Sequence, residues 1–286
     1  FIIILSIFTP IFILYPVAEI EVLARKEIIV FSLFLIYLLI PRYSNFKIFS
    51  LAIFLFLATL IWEPIIFFFP LILLFEIIEN NIETFDSNFF KIILSFVPSL
   101  IVALIIIFDP LTDNEHELMA LILKNEFDQD CYMSCGRLRS LSTIIQQFQE
   151  NNERYSIQVF IRYPIIILIG FFPLVVLLNN SRLKNEKLFL FKNLKKPIHV
   201  FYIACLPITV LFAMGFDWGR WVNIFYVISA LIYFQLLIKN FLILDFEKLR
   251  KNFIYKINRK TFIIFFIIFS FGWNPKTTLT EDVASI

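Results

Sequence analysis

Residues 48–78 read IFSLAIFLFLATLIWEPIIFFFPLILLFEII. The run is too long for one membrane crossing, which takes about 20 apolar residues, and short for two. Trp62-Glu63-Pro64 stands at its centre. Proline removes a backbone donor from a helix, and a carboxylate is costly in hydrocarbon. The stretch therefore reads as a tight hairpin split at Glu63, with crossings over 48–62 and 65–78.

Working outward, apolar runs over 1–17, 28–40, 92–108, 159–178, 198–216, 222–239 and 261–273 complete a set of nine expected spans. The loops 41–47, 79–91, 179–197 and 239–260 hold 16 of the 25 Lys and Arg residues. With the hairpin, all four fall on one face, which the positive-inside rule makes cytoplasmic. An unsplit 48–78 would place 41–47 and 79–91 on opposite sides. The first residue is then expected inside and the last outside.

Composition agrees. Of 286 residues, 60% are hydrophobic and 17% charged, and the mean hydropathy is +0.84. A soluble fold has too much surface to hide that apolar content, and a disordered chain has far less of it. Three Cys exclude a disulfide scaffold, and a net charge of +2 gives no reason to expect nucleic acid. Phe is 38 of the residues and Gly only 5, the drift expected of an AT-rich genome. The chain starts at Phe1 with neither Met nor a basic stretch before its apolar run, and is expected to be an N-terminally truncated fragment rather than to open with a signal peptide.

The expected architecture is an all-α, polytopic transmembrane bundle in three parts. Residues 1–108 and 159–286 hold spans, and 109–158 is an outer helical loop. Leu118, Leu121 and Ile122 form one apolar stripe of that loop, and Leu138, Leu141, Ile144, Ile145 and Phe148 a second, predicting two short amphipathic helices. On the cytoplasmic side, Leu242, Phe246, Leu249, Phe253 and Ile257 recur at helical spacing among basic residues, predicting an interfacial helix within 240–260.

Topology sorts the polar residues. Glu19, Glu21, Arg25, Lys26, Glu27, Glu63, Asp109, Arg162, Asp217 and Arg220 all fall at outer ends of spans. In Asp217-Trp218-Gly219-Arg220-Trp221, an Asp and an Arg three apart can pair or hold one polar ligand, and Gly219 permits close approach. Arg25 and Lys26 sit on the outer face against the positive-inside bias, and Arg matches phosphate oxygens with a planar fork. Glu63 among aromatics is either a general base or the partner of Arg25 or Arg220. Arg162 is a third phosphate ligand or a headgroup anchor. Cys131 and Cys135 lie in the outer loop, where an oxidising compartment permits a disulfide; Cys205 is a packing residue. No nucleotide-binding loop, zinc-protease motif or serine-hydrolase elbow is present, so no cofactor and no metal are expected.

Three of these motifs, in this order, resemble those of the Wzy/EpsG group of bacterial polysaccharide polymerases. Ala24-Arg25-Lys26-Glu27 is similar to the group's Gly-Arg-Lys-Asp/Glu stretch. Ile61-Trp62-Glu63-Pro64, with Phe69-Pro70, resembles its His-Glu segment followed by an apolar run to Pro. Asp217-Trp218-Gly219-Arg220-Trp221 looks like its Asp-x-Gly-Arg element. Trp62 departs from the pattern, standing where the group often has His, so a proton-transfer role of that His has no counterpart here. The resemblance implies a GT-C-like bundle in the bacterial inner membrane that joins undecaprenyl-pyrophosphate-linked glycans at the outer face, alongside other polysaccharide-assembly proteins. Arg25, Lys26, Arg220 and Arg162 would hold the pyrophosphate, with Glu63 or Asp217 as base. The lipid-linked oligosaccharide and membrane lipids are the implied partners. Three alternatives stand beside it: a glycosyltransferase using a polyprenyl-monophosphate sugar, with Glu19 and Glu21 as its acidic pair; a lipid-linked-glycan flippase or other transporter; and a structural or partner-binding subunit. The polymerase reading expects Arg25, Glu63 and Arg220 to converge on one outward cavity within about 10 Å, the reach of a diphosphate and its ligands.

Overall fold

The computed structural model describes residues 1–20, 25–41, 45–108, 112–130, 149, 152, 155–188, 196–251, 257–278 and 283–284. Among the described residues, four helical stretches are long and apolar enough to cross a membrane: Ser87–Phe108, Ile157–Asn179, Pro197–Met214 and Trp218–Ile238. Large apolar side chains on their outer surfaces, among them Leu94, Ile101, Leu104, Ile105, Leu168 and Ile169, are exposed. So wide an apolar surface suits lipid and not water. The fold is an all-α membrane helix bundle.

The deciding stretch breaks where the sequence breaks it. Helix α4 (Asn45–Ile61) ends before Trp62, whose backbone is extended at φ −151° and ψ 92°. A 3₁₀ stretch over Glu63–Phe68 follows, with Pro64 in its first turn, and α5 (Phe69–Glu79) begins with Pro70 in its own first turn. Proline is tolerated there because those N–H groups have no intrahelical partner. Lys47, at the start of α4, pairs with Glu79, at the end of α5, so the two legs run antiparallel.

Short α1 (Ile2–Ile7) and α2 (Tyr15–Ala18) replace the continuous first span expected over 1–17. Between them the chain turns through Pro10, and neighbouring helices satisfy the freed backbone. Thr9 donates to the Gly170 carbonyl (3.2 Å), Asn223 to that of Ile11 (3.0 Å) and Tyr226 to that of Ser6 (2.8 Å). Irregular backbone at membrane depth persists only with such partners. Gly170 leaves room for it, since a Cβ there would lie 2.5 Å from Ile11 Cδ1.

Helix α3 (Glu27–Leu39) precedes the hairpin and α6 (Ser87–Phe108) packs along α4. Helix α7 (Asp113–Phe127) follows, then α8 (Ile157–Asn179), β1 (Ser181–Leu183), and α9 (Pro197–Cys205) joined by a 3₁₀ turn at Pro207 to α10 (Thr209–Met214). Helix α11 (Trp218–Ile238) is central, touching α3, α5 and α8. Val222, Tyr226, Ala230 and Tyr233 on it are buried. Its 21 residues span about 31 Å at 1.5 Å per residue, close to the thickness of a bilayer core.

In 239–260 the structure departs from the predicted helix. Asn240 takes a left-handed conformation (φ 59°) and turns the chain. Leu242–Leu244 then forms β2, which pairs antiparallel with β1 through Leu183 opposite Leu242. Leu242 and Leu244 point inward and Ile243 outward. A short α12 (Phe246–Arg250) follows, capped by Asp245, with Leu249 buried and Phe246 exposed. Apolar residues at helical spacing thus serve two different elements, and Phe253 lies outside the described residues. Helix α13 (Arg259–Phe271) leads to β3 (Asn274–Pro275), which pairs with β4 (Val283–Ala284).

In the segment expected to be an outer loop, α7 forms behind a capping box between Thr112 and Glu115. Its stripe of Leu118, Leu121 and Ile122 is exposed. The second predicted helix, with Cys131 and Cys135, lies outside the described residues, as do Glu21, Ala24 and Asp109. Hydrogen bonds from the Thr112 backbone and side chain hold the Glu115 carboxyl below its usual range. A carboxyl lowered on folding adds stability above its unfolded pKa, and that stability is lost as pH falls through the folded value. Thr112→Ala should cost α7 about 1 kcal/mol. Its amides should exchange faster at neutral pH, by a margin that narrows under acid.

Candidate functional site

Three stretches far apart in sequence meet at one end of the bundle. The N-terminus of α3 brings Lys26 and Glu27, the hairpin bend brings Trp62 and Glu63, and the turn before α11 brings Asp217, Arg220 and Trp221. Lys26 Nζ lies 3.5 Å from Glu63 Oε2. Arg220 Nη2 lies 2.7 Å from Asp217 Oδ2, and its Nε 3.4 Å from Glu27 Oε1. The guanidinium rests 4.6 Å over the Trp221 ring, which stacks on Trp62 at 6.0 Å. A planar cation between two carboxylates and an indole face has its orientation set from three sides.

The carboxylates differ in surroundings. Glu27 is 3% exposed; its Oε1 faces Arg220 Nε, and its Oε2 has no hydrogen-bond partner. The Asp217 side chain is 16% exposed and engaged by Arg220. The Glu63 side chain is 48% exposed, and its ion pair with Lys26 is open to water, where such pairs contribute little. Glu63 is thus the carboxylate most accessible from outside. Arg25 and Arg162 are half-buried at this same end; Tyr163, next to Arg162, meets the Trp218 ring at 5.2 Å.

Aromatic rings wall the site on one side. Around Trp218 stand Tyr155, Phe160, Tyr163 and Phe212, with ring centroids 5.2–5.9 Å away. Tyr155 donates to the carbonyls of Phe212 (2.9 Å) and Ala213 (3.2 Å). Burial pushes its phenol pKa up. Edge-to-face and tilted contacts of this kind fix the rings against one another.

The sequence named Glu27 only as part of a charged motif and did not single out Tyr15. Tyr15 is fully buried, and its hydroxyl would stand 3.2 Å from a Cβ on Gly219. Residues 274–278 were likewise unmarked, although Thr277 accepts from the Arg220 backbone N–H (3.4 Å). Glu19 accepts from Asn274 and Thr277, contacts across more than 250 residues that no local pattern signals.

A second polar cluster occupies the opposite end. Glu79 is 0% exposed and pairs with both Lys47 and Lys239, the latter at 2.6 Å. Glu76, also buried, accepts from Tyr37 and from Asn80 (3.2 Å). The sequence assigned Lys47 and Lys239 to basic loops, whereas Lys47 is buried.

Among the described residues no group of three or more His, Cys, Asp or Glu is arranged to hold a metal ion, and Cys205 is a buried free thiol. Comparison with protein-family models, with curated proteins and with solved structures finds no match to this chain.

Proposed function

We propose that the protein is a nine-span, GT-C-like polysaccharide polymerase of the bacterial inner membrane, which transfers an undecaprenyl-pyrophosphate-linked glycan to an acceptor hydroxyl at the outer face. The observation that carries this reading is the meeting of Lys26-Glu27, Trp62-Glu63 and Asp217–Trp221 in one network. These are the three motifs on which the family resemblance rests.

In the reaction, the acceptor oxygen attacks the anomeric carbon and the bond to the pyrophosphate breaks. Glu63, the exposed carboxylate, takes the hydroxyl proton. Charge grows on the departing pyrophosphate, and Arg220 with Lys26 stabilises it, Arg25 and Arg162 standing by at the same end. Asp217 and Glu27 orient Arg220, a role that leaves Asp217 unsuited to act as base. The pyrophosphate would displace Glu63 from Lys26, the weakest pair of the network.

The test is reconstitution in proteoliposomes with an undecaprenyl-pyrophosphate oligosaccharide. Expected results are longer glycans and released undecaprenyl pyrophosphate. Arg220→Lys, which keeps the charge and loses the fork, should slow release about 100-fold or more, the usual consequence of removing a charge-stabilising donor. Wild-type protein that leaves this donor unextended but uses a monophosphate sugar, or only moves the lipid across the bilayer, would overturn the proposal.

A further inference from the structure

After α13 the chain turns back over the outer site. The Lys276 carbonyl rests against Gly219, so closely that a Cβ on Gly219 would overlap it. Thr277 accepts from the Arg220 backbone (3.4 Å) and Thr278 from the Tyr163 hydroxyl (3.2 Å). Glu19 holds the segment from the side. It accepts from Asn274 Nδ2 (3.3 Å) and Thr277 Oγ1 (3.0 Å), and Lys276 Nζ lies 3.6 Å from it.

These contacts are polar, and several are long. The seat they cover is polar too, and poorly satisfied. Tyr15 Oη, with the Thr277 side chain beside it, makes no hydrogen bond of good geometry, and neither does Arg220 Nε, 3.4 Å from Glu27 Oε1; Glu27 Oε2 and, on the segment itself, Asn274 Oδ1 are buried without a partner. Burying polar groups unpaired is unfavourable. A covering that leaves its seat unsatisfied is one that a better-matched ligand displaces, because such a ligand gains the bonds that the covering does not make.

We propose that residues 274–278 are a displaceable strap over the outer site, latched by Glu19, and that lifting it opens Tyr15 and Arg220 to an anionic, hydroxyl-bearing ligand. That this ligand is the lipid-linked glycan rests on the function proposed above; the latch itself does not. With the strap down, access to Arg220 from that side is closed, so the state of the Glu19 latch regulates the site.

The experiment uses the full chain in lipid nanodiscs, with Cys131, Cys135 and Cys205 replaced by Ser and Pro275→Cys as reporter on the strap. Pro275 is buried. A hydrophilic maleimide should label this reporter slowly with Glu19 intact and at least tenfold faster with Glu19→Gln. Hydrogen exchange over 218–238 should stay unchanged in the variant, showing the bundle intact. Equal labelling rates would overturn the latch. So would exchange rising across 218–238 together with labelling, since Glu19 would then be a prop of the whole bundle. The polymerisation assay is read separately. A strap that moves in a protein unable to extend the pyrophosphate donor sinks the proposed function and leaves the strap.

Discussion

Glu79→Leu should be the most damaging single substitution in the bundle. The side chain is fully buried and faces Lys47, itself 3% exposed, and Lys239, at 26%. Tyr37 and Phe75 flank the Lys47 ammonium at 5.3 and 5.5 Å, so little water reaches it. Removing one partner of a buried pair strands the other charge, at a cost of about 3–5 kcal/mol. Lys239 escapes part of that cost because its side chain is partly exposed and its Nζ keeps the Leu38 carbonyl as an acceptor (3.2 Å). The thermal midpoint in detergent should fall sharply for Glu79→Leu, whereas Lys47→Met combined with Glu79→Leu should recover much of the loss. A double variant as unstable as the single one would show that shape at this site, and not the stranded charge, sets the cost.

The second large effect is expected from Gly219→Ala. The added methyl would meet the Lys276 carbonyl on one side and the Tyr15 hydroxyl at 3.2 Å on the other. A backbone carbonyl cannot rotate out of the way as a side chain can, so the segment must move bodily. Overpacking of this kind typically costs about 1–3 kcal/mol. Hydrogen exchange over 273–278 should speed up strongly, while the buried middle of α11 keeps its protection. Gly170→Ala provides the contrast. Its obstacle is the end of the Ile11 side chain, which can turn aside, so the smaller loss is expected there. If Gly219→Ala leaves exchange over the strap as it was, the close approach is not what fixes the strap in place.

Much of the fold was legible residue by residue. Proline and a carboxylate inside an apolar run announced the break at Trp62, and the structure places it there. The apolar lengths announced α6, α8 and α11. The broken first segment was not legible, since its partners Gly170, Asn223 and Tyr226 lie more than 150 residues away. Leu242 and Phe246 kept helical spacing, yet Asn240 and strand pairing with Ser181–Leu183 overruled it. Of the candidate site, the motifs could be read, but not that Asp217 and Glu27 both hold Arg220 while Glu63 stays half-exposed.

By itself, then, the sequence determined a helical membrane protein, its main break points and the charged stretches at the helix ends. Transfer of side chains from water to lipid is a nearly additive, local property, and a linear string records it. Tertiary structure alone decided which charges neutralise one another, that Lys47 is buried against Glu79, and that the segment after α13 lies over Gly219 and Arg220. Those outcomes depend on how helices are arranged side by side, and therefore on contacts between distant residues that no local pattern encodes.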